Sequence, residues 1–418
     1  MSRFRWLAPS LIALATLPLS PSSVWAQDGS PDLPPDEKVA EALDGHPAVE
    51  AAGARLEAAR SQQQMLIKGP QEISVSGSYL RRTVDTEGGY NEFDVSVTRP
   101  VRLPGKAALD RKAGRYGVEV AQNRMEDMRH QTSLQLSTLW FDWLTAGTLL
   151  ANDRATVANL DRALQAVRRR VQLRDAAQID IDQAASALAL AQGQMADSRA
   201  RLDEAKALLA ANFPEIPLAD EPPTLAAPRL PVESLETLRD HVVSRSHEIG
   251  AAESEAERMS ALARRAKADR VPDPSLGFRL FSERGGAEKG VGVLASVPLG
   301  GGYRKAAAGQ AAAEAGSARM ELASVRRSIE AVANADMSNA GTRYAAWQSM
   351  TTASDRARDA AERTQRGYLL GALDLSDLLY AERQANDARR AEILARSEAR
   401  RALIKLLIDS HTIWAPAE

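Results

Sequence analysis

SVTRPVRLPGK (Ser96–Lys106) closes a pair of alternating segments and opens a very long helical run, and about 200 positions further on ASVPLGGGYRK (Ala295–Lys305) does the same. The segments leading to the first copy are Ile73–Tyr79 and Phe93–Val101; those leading to the second are Leu276–Phe281 and Val291–Val297. Each alternates apolar with small or polar residues, the period of a strand with one apolar face. We expect strand pairs over 73–81/92–101 and 275–282/290–298. Arg81–Asn91, with Gly88, Gly89 and several charges, predicts an exposed hairpin loop, and Ser282–Gly290 a Gly-rich turn. Strands of about 10 residues are long enough to cross a bilayer when tilted.

Outward from each pair the chain is helical. Residues 37–67 read as a helix before Pro70, and helical residues around Ile249 precede Pro272 and Pro274. Lys106–Arg170 reads as one helix of about 65 residues, roughly 100 Å long at 1.5 Å per residue. A helix of that length needs lateral partners in water. A heptad supplies the signal: Val157, Leu160, Leu164, Val167 and Val171 step by three and four, and after a break at Arg174–Gln178 the pattern resumes at Leu188, Ala191, Met195, Ser198, Leu202, Ala205 and Leu209. Ala357, Ala361, Thr364 and Tyr368 repeat the step, followed by Ala381, Ala385, Ala388, Glu392, Ala395, Ala399, Ala402 and Leu406. A shift of 197 positions lays Ala184, Ala191, Ser198 and Ala205 on Ala381, Ala388, Ala395 and Ala402. The chain is duplicated. Phe213–Pro231 carries six prolines and cannot continue a helix, so residues 212–232 are expected as a surface linker between a first repeat (27–211) and a second (233–418).

Composition removes other classes. Arg3 and Arg5, the apolar Leu7–Leu19 and Val24-Trp25-Ala26 form a signal peptide over residues 1–26. A membrane anchor is the alternative, but that apolar core is short and holds Pro9 and Pro18. No other window is apolar enough for a transmembrane helix, so any insertion must use strands. There are no cysteines, hence no disulfide or thiolate chemistry, and a net charge of −2 gives no reason to expect a nucleic-acid partner. Only 5% of residues are aromatic. Small side chains suit closely packed helical walls better than the thick core of an enzyme.

The local motifs read mostly as structure. PLGGGYRK (Pro298–Lys305) has the glycine density of a phosphate loop without its spacing, and is better taken as a strand-to-helix transition at Gly300, Gly301 and Gly302, matched by Pro104 and Gly105 in the first copy. His46, His130, His241, His247 and His411 never fall three or four apart, so no metal or other cofactor site is expected. Trp140, Phe141, Trp143 and Leu144 read as packing, while Tyr79, Tyr90, Phe93, Phe278 and Phe281 suit membrane-interface girdles. The helical breaks Arg174–Asp182 and Gly371–Asp377 hold acids in register, Asp180 falling on Asp377. Capping explains them, and so does a ring of charge: if the turns gather at one end of a tube, Asp180, Asp182, Asp374 and Asp377 favour cations.

The order helix–strand–strand–long helix–turn–helix, twice over, resembles the TolC-like outer membrane factor family across essentially the whole mature chain. RGYLLGALDLSDLLYAE (Arg366–Glu382) is similar to the family's R-x-Y-x-x-G turn, and VPDPSLGF (Val271–Phe278) and VPLGGGYR (Val297–Arg304) to its strand entry and exit. RPVRLPGK resembles the heavy-metal cation efflux (CzcC-like) branch. The resemblance implies a mainly α fold with a small β part. A homotrimer would build an outer-membrane β-barrel, four strands per chain, continuous with a long periplasmic α-helical barrel. It also implies a passive exit duct, not an enzyme, which works with a periplasmic adaptor and an inner-membrane pump to export small molecules or metal cations. Arg174, Asp180, Asp182, Tyr368, Gly371, Asp374 and Asp377 would then form the periplasmic gate and adaptor-docking end. Arg174 departs from the family glycine that Gly371 keeps. The rival classes are a periplasmic coiled-coil adaptor or structural protein of an export complex, the adaptor needing only one helical hairpin and polar β-domains, and a secreted helical enzyme, which needs a convergent polar site.

Overall fold

The computed structural model describes residues 32–415; the expected signal peptide lies outside the described residues. In chain order the elements are α1 (Asp36–Asp44), α2 (Pro47–Lys68), β1 (Ser74–Val84), β2 (Gly88–Pro100), α3 (Lys106–Gln172) and α4 (Gln178–Asn212). After an irregular segment come α5 (Leu235–Ser244), α6 (His247–Ala268), β3 (Ser275–Glu283), β4 (Glu288–Ser296), α7 (Gly302–Leu369) and α8 (Leu375–Asp409). Helix lengths recur: 9, 22, 67 and 35 residues, then 10, 22, 68 and 35.

The helix read over 37–67 is two helices. Pro47 has no N–H to donate and begins α2, while His46 caps it by accepting the Ala48 N–H at Nδ1, 3.2 Å away.

The four strands form one antiparallel sheet in the order β1-β2-β3-β4. The loop expected at Arg81–Asn91 is mostly strand. Pairing runs to Val84↔Gly88, because charged and polar side chains pair across it: Arg82 with Glu92 at 2.8 Å, and the Tyr79 hydroxyl with Asn91. Register then sorts the side chains. Val75↔Val97, Gly77↔Val95 and Tyr79↔Phe93 continue through Leu280 and Phe278 into Val291, Val293 and Ala295, so one face of the sheet is apolar or small from edge to edge over these positions. Ser76, Ser96, Asp94 and Arg279 lie on the other face, with Ser76 bonded to Ser96 and Arg279 paired with Asp94. β1 and β4 pair on one side only, so the sheet is open at both edges.

Below the sheet the helices pack in the same order, α2 on α3, α3 on α6 and α6 on α7. Further down, α3 pairs with α4 and α7 with α8, and an α3–α8 contact joins the two hairpins. The heptad residues occupy these contacts: Leu164, Val167, Ala184 and Leu188 bury with Leu375 and Leu378 near the turns. The main apolar cluster sits higher, where Leu136, Trp140, Phe141, Trp143 and Leu144 of α3 meet Val39 and Leu43 of α1, Leu209 of α4 and Ile404 of α8. The proline-rich segment is more than a surface linker. Phe213, Ile216 and Leu225 are buried in that same cluster, and the Ala226 N–H reaches Asp32. Enough apolar side chains interrupt the prolines to pin the segment as a strap.

Candidate functional site

Two regions carry the expected functional residues, the paired helical turns and the strand-to-helix junctions. At the turns, the last helical residues close in the same way in both repeats. The Asp175 N–H bonds to the Arg170 carbonyl and the Arg174 N–H to Val171; the Ala372 N–H bonds to Gly367 and the Gly371 N–H to Tyr368. The residue that reverses the chain is left-handed in both, with φ of 60° at Arg174 and 74° at Gly371. Arginine has therefore not altered the first turn; it occupies glycine's conformation.

Three of the four acids at the turns are capping groups. Asp180 accepts the Ala177 N–H at 3.0 Å; Asp374 accepts from the Asp377 N–H, and Asp377 from the Asp374 N–H. Asp182 is exposed at the start of α4. The two turns are brought side by side, and sequence reasoning missed the contact that does it. The Arg170 guanidinium lies 5.1 Å from the centre of the Tyr368 ring while its Nε bonds Asp175 at 2.8 Å, linking the end of α3 to the end of α7. Arg170 falls opposite Gly367 under the repeat shift, so comparing the two copies could not single it out. The tip also leaves Leu173 and its counterpart Leu370 75% and 85% exposed, beside Leu369 and Ile179.

At the junctions, Gly105 adopts φ 86° just before α3 and so needs glycine, whereas Gly300, Gly301 and Gly302 stay outside the left-handed region. The residue that organises the first junction is Lys106. Its side chain is 2% exposed and donates to the Val271 carbonyl at 2.7 Å, to Asp273 at 2.8 Å and to Asp269 at 2.9 Å, tying the start of α3 to the approach of β3. Burial opposes ionisation of Asp269 and Asp273, but Arg265 and then Lys106 at Asp269, and Lys106 with the Leu103 N–H at Asp273, hold both below the ordinary carboxylate range. In the second repeat Lys305 is exposed, and its neighbour Arg304 donates instead to the Asp269 carbonyl at 3.0 Å.

Histidines that local spacing kept apart meet in space. His411 lies 5.3 Å from His130 and 4.7 Å from His247 between ring centres. They come from α3, α6 and the end of α8, so no short-range pattern in the sequence could pair them. Among the described residues no group of three or more His, Asp or Glu is arranged to hold a metal ion, and no helix is long and apolar enough to cross a membrane.

No protein-family model matches the chain, and no curated protein matches it. Solved structures do. The outer-membrane channel OprN aligns over 91% of this chain and 90% of its own, with 22% identity and a TM-score of 0.78. The open-state MtrE outer membrane channel of Neisseria gonorrhoeae aligns over 90% and 88%, with 17% identity and a TM-score of 0.75. The outer membrane protein VceC of Vibrio cholerae aligns over 89% and 95%, with 18% identity and a TM-score of 0.72. With its duplicated long helical hairpins beneath a four-stranded open-edged sheet, the chain has the fold of the TolC-like outer membrane factors.

Proposed function

We propose that the protein is the outer-membrane exit duct of a tripartite efflux system, a passive channel and not an enzyme. The observation that carries this reading is the sheet. An apolar face running unbroken through Val75, Val95, Val97, Phe278, Leu280, Val291 and Val293 suits lipid, and an opposite face bearing Ser76, Asp94, Ser96 and Arg279 suits a water-filled lumen. Four strands are too few to close a barrel, about eight being the smallest, so three chains would supply twelve. Helices of 67 and 68 residues then reach roughly 100 Å into the periplasm.

In this reading the turns are the gated, adaptor-facing end. Exposed Leu173, Leu369 and Leu370 offer apolar contacts to an adaptor protein, which would link the duct to an inner-membrane pump. Asp180, Asp182, Asp374 and Asp377, repeated in three chains, would favour cations at the mouth, and capping by three of them is compatible with that role. A periplasmic adaptor has no use for a sheet with a continuous apolar face, and nothing favours that alternative.

Planar-bilayer recording with the purified protein tests both levels. We expect discrete conductance with a preference for cations, and a reduced preference in Asp180→Asn with Asp377→Asn. Asparagine keeps a side-chain acceptor for the cap while removing the charge. Absence of any conductance, with the protein in the soluble periplasmic fraction, would refute the duct. Unchanged selectivity in the double variant would refute the acidic ring alone and leave capping as the aspartates' role.

A further inference from the structure

The last described residues form a strap whose anchor is ionisable. After α8 the backbone turns through left-handed conformations at His411 (φ 52°) and Trp414 (φ 56°). Ile413 and Trp414 lie against the main apolar cluster. Arg129 of α3 donates to the Trp414 carbonyl at 2.6 Å and pairs with Asp44 at the end of α1, so the strap ties the end of the second repeat to the start of the first. Arg245 donates to the Ser410 and His411 carbonyls, and the Thr412 and Ile413 N–H groups return to the Leu407 carbonyl, while the Trp414 indole N–H is buried without a partner.

The anchor is the histidine group. His130 Nε2 is 3.1 Å from Asp409, and His247 Nδ1 is 3.0 Å from Glu126. His411 meets the His130 ring edge-on and the His247 ring at a tilt of 38°. Charged and titratable groups face it from every packed element: Glu126, Asp127 and Arg129 from α3; Arg245 and Glu248 at the α5–α6 junction; Lys405 and Asp409 from α8; and Asp336 of α7 through its 2.5 Å bond to Lys405. Since no described group of three is arranged for a metal, the ligand that fits here is the proton.

We propose that His130, His247 and His411 form a proton-sensitive latch that pins residues 411–415 across α3 and α6 at neutral pH and frees them on acidification. The direction follows from linkage. Burial, and then the positive charge available on His247 and His130, pushes the His411 imidazole down from 6.5 to about 4 while the strap is seated. A released His411 regains its ordinary affinity for protons. The latched state is therefore fully favoured above pH 6.5 and loses ground as pH falls toward 4, by on the order of a hundredfold near pH 4.5. Burial opposes ionisation of Asp409, but His130 and Lys405 hold its carboxyl below the usual carboxylate range.

Fluorine NMR of the full chain labelled with 5-fluorotryptophan reads the strap directly, with the Trp414 line assigned through Trp414→Phe. We expect that line to leave its packed position between pH 6.5 and 4.5 while the lines of Trp140, Trp143 and Trp347 stay. His411→Asn, which tolerates the left-handed backbone and does not titrate, should keep the packed line down to pH 4.5. His247→Gln, which leaves His411 in place but removes one neighbouring charge, should weaken the pH dependence. The latch is overturned if the parent's Trp414 line does not move by pH 4.5, if all tryptophan lines move together, or if both variants follow the parent's profile.

Discussion

Arg174 and Gly371 share one backbone conformation, and only the glycine adopts it without strain. A left-handed residue other than Gly costs roughly 1 kcal/mol or more, because Cβ crowds the following carbonyl. Arg174→Gly should therefore stabilise the first turn by about 1 kcal/mol. Gly371→Val, adding a β-branched side chain, should destabilise the second by about 2 kcal/mol and impair export while leaving assembly intact. Hydrogen exchange at the Asp175 and Ala372 amides measures this locally, since each closes its turn onto the helix before it. Faster exchange at Asp175 in Arg174→Gly would show that the arginine side chain, and not its backbone, matters there. The opposite substitutions at equivalent positions make the comparison internal to one protein.

Strands are where one residue's offset reverses every side chain, so the sheet's register carries the sharpest expectation at the scale of an element. Val95→Lys places a charge amid Val97, Leu280 and Tyr79 and should cost about 2–4 kcal/mol if the site lies near the bilayer midplane, whereas Ser96→Lys, one residue on, should be tolerated. Urea unfolding from lipid vesicles gives both values, and equal costs at 95 and 96 would sink the assignment of faces. Alternation in the sequence was enough to place the strands but not to show that one face is apolar across all four; that needed the pairing of Val95 with Gly77 and Leu280, a contact across some 185 residues. The hairpin tip was misread as a loop because its charges look solvated singly, while Arg82 and Glu92 satisfy each other across the ladder. The long helices, turns and repeat were legible because heptads and caps are local signals. Lys106, Arg170 and the three histidines were not, because their roles come from partners on distant elements. A buried lysine in LPGK looks like any helix-start cation until Asp269 and Asp273 are placed beside it.

At the scale of the molecule, two surfaces lack a partner within the chain: β1 and β4 each offer an unpaired row of backbone groups, and α7 buries only Ala315, Ala318, Ala333, Ala340, Ser354 and Ala361 along its 68 residues. Unpaired strand edges either aggregate or are paired by another copy, and small residues along α7 let a neighbouring helix come close. A closed ring answers both, because each β4 can pair with the β1 of the next chain while each α7 covers the next chain's outer helices. Three chains give twelve strands, enough to enclose a lumen, and two give eight, which side chains alone would fill. Native mass measurement in mild detergent should therefore find three chains and no stable folded monomer. A monodisperse monomer retaining the full helical signal would mean that the open edges are covered in some other way, and would remove the basis for a continuous channel.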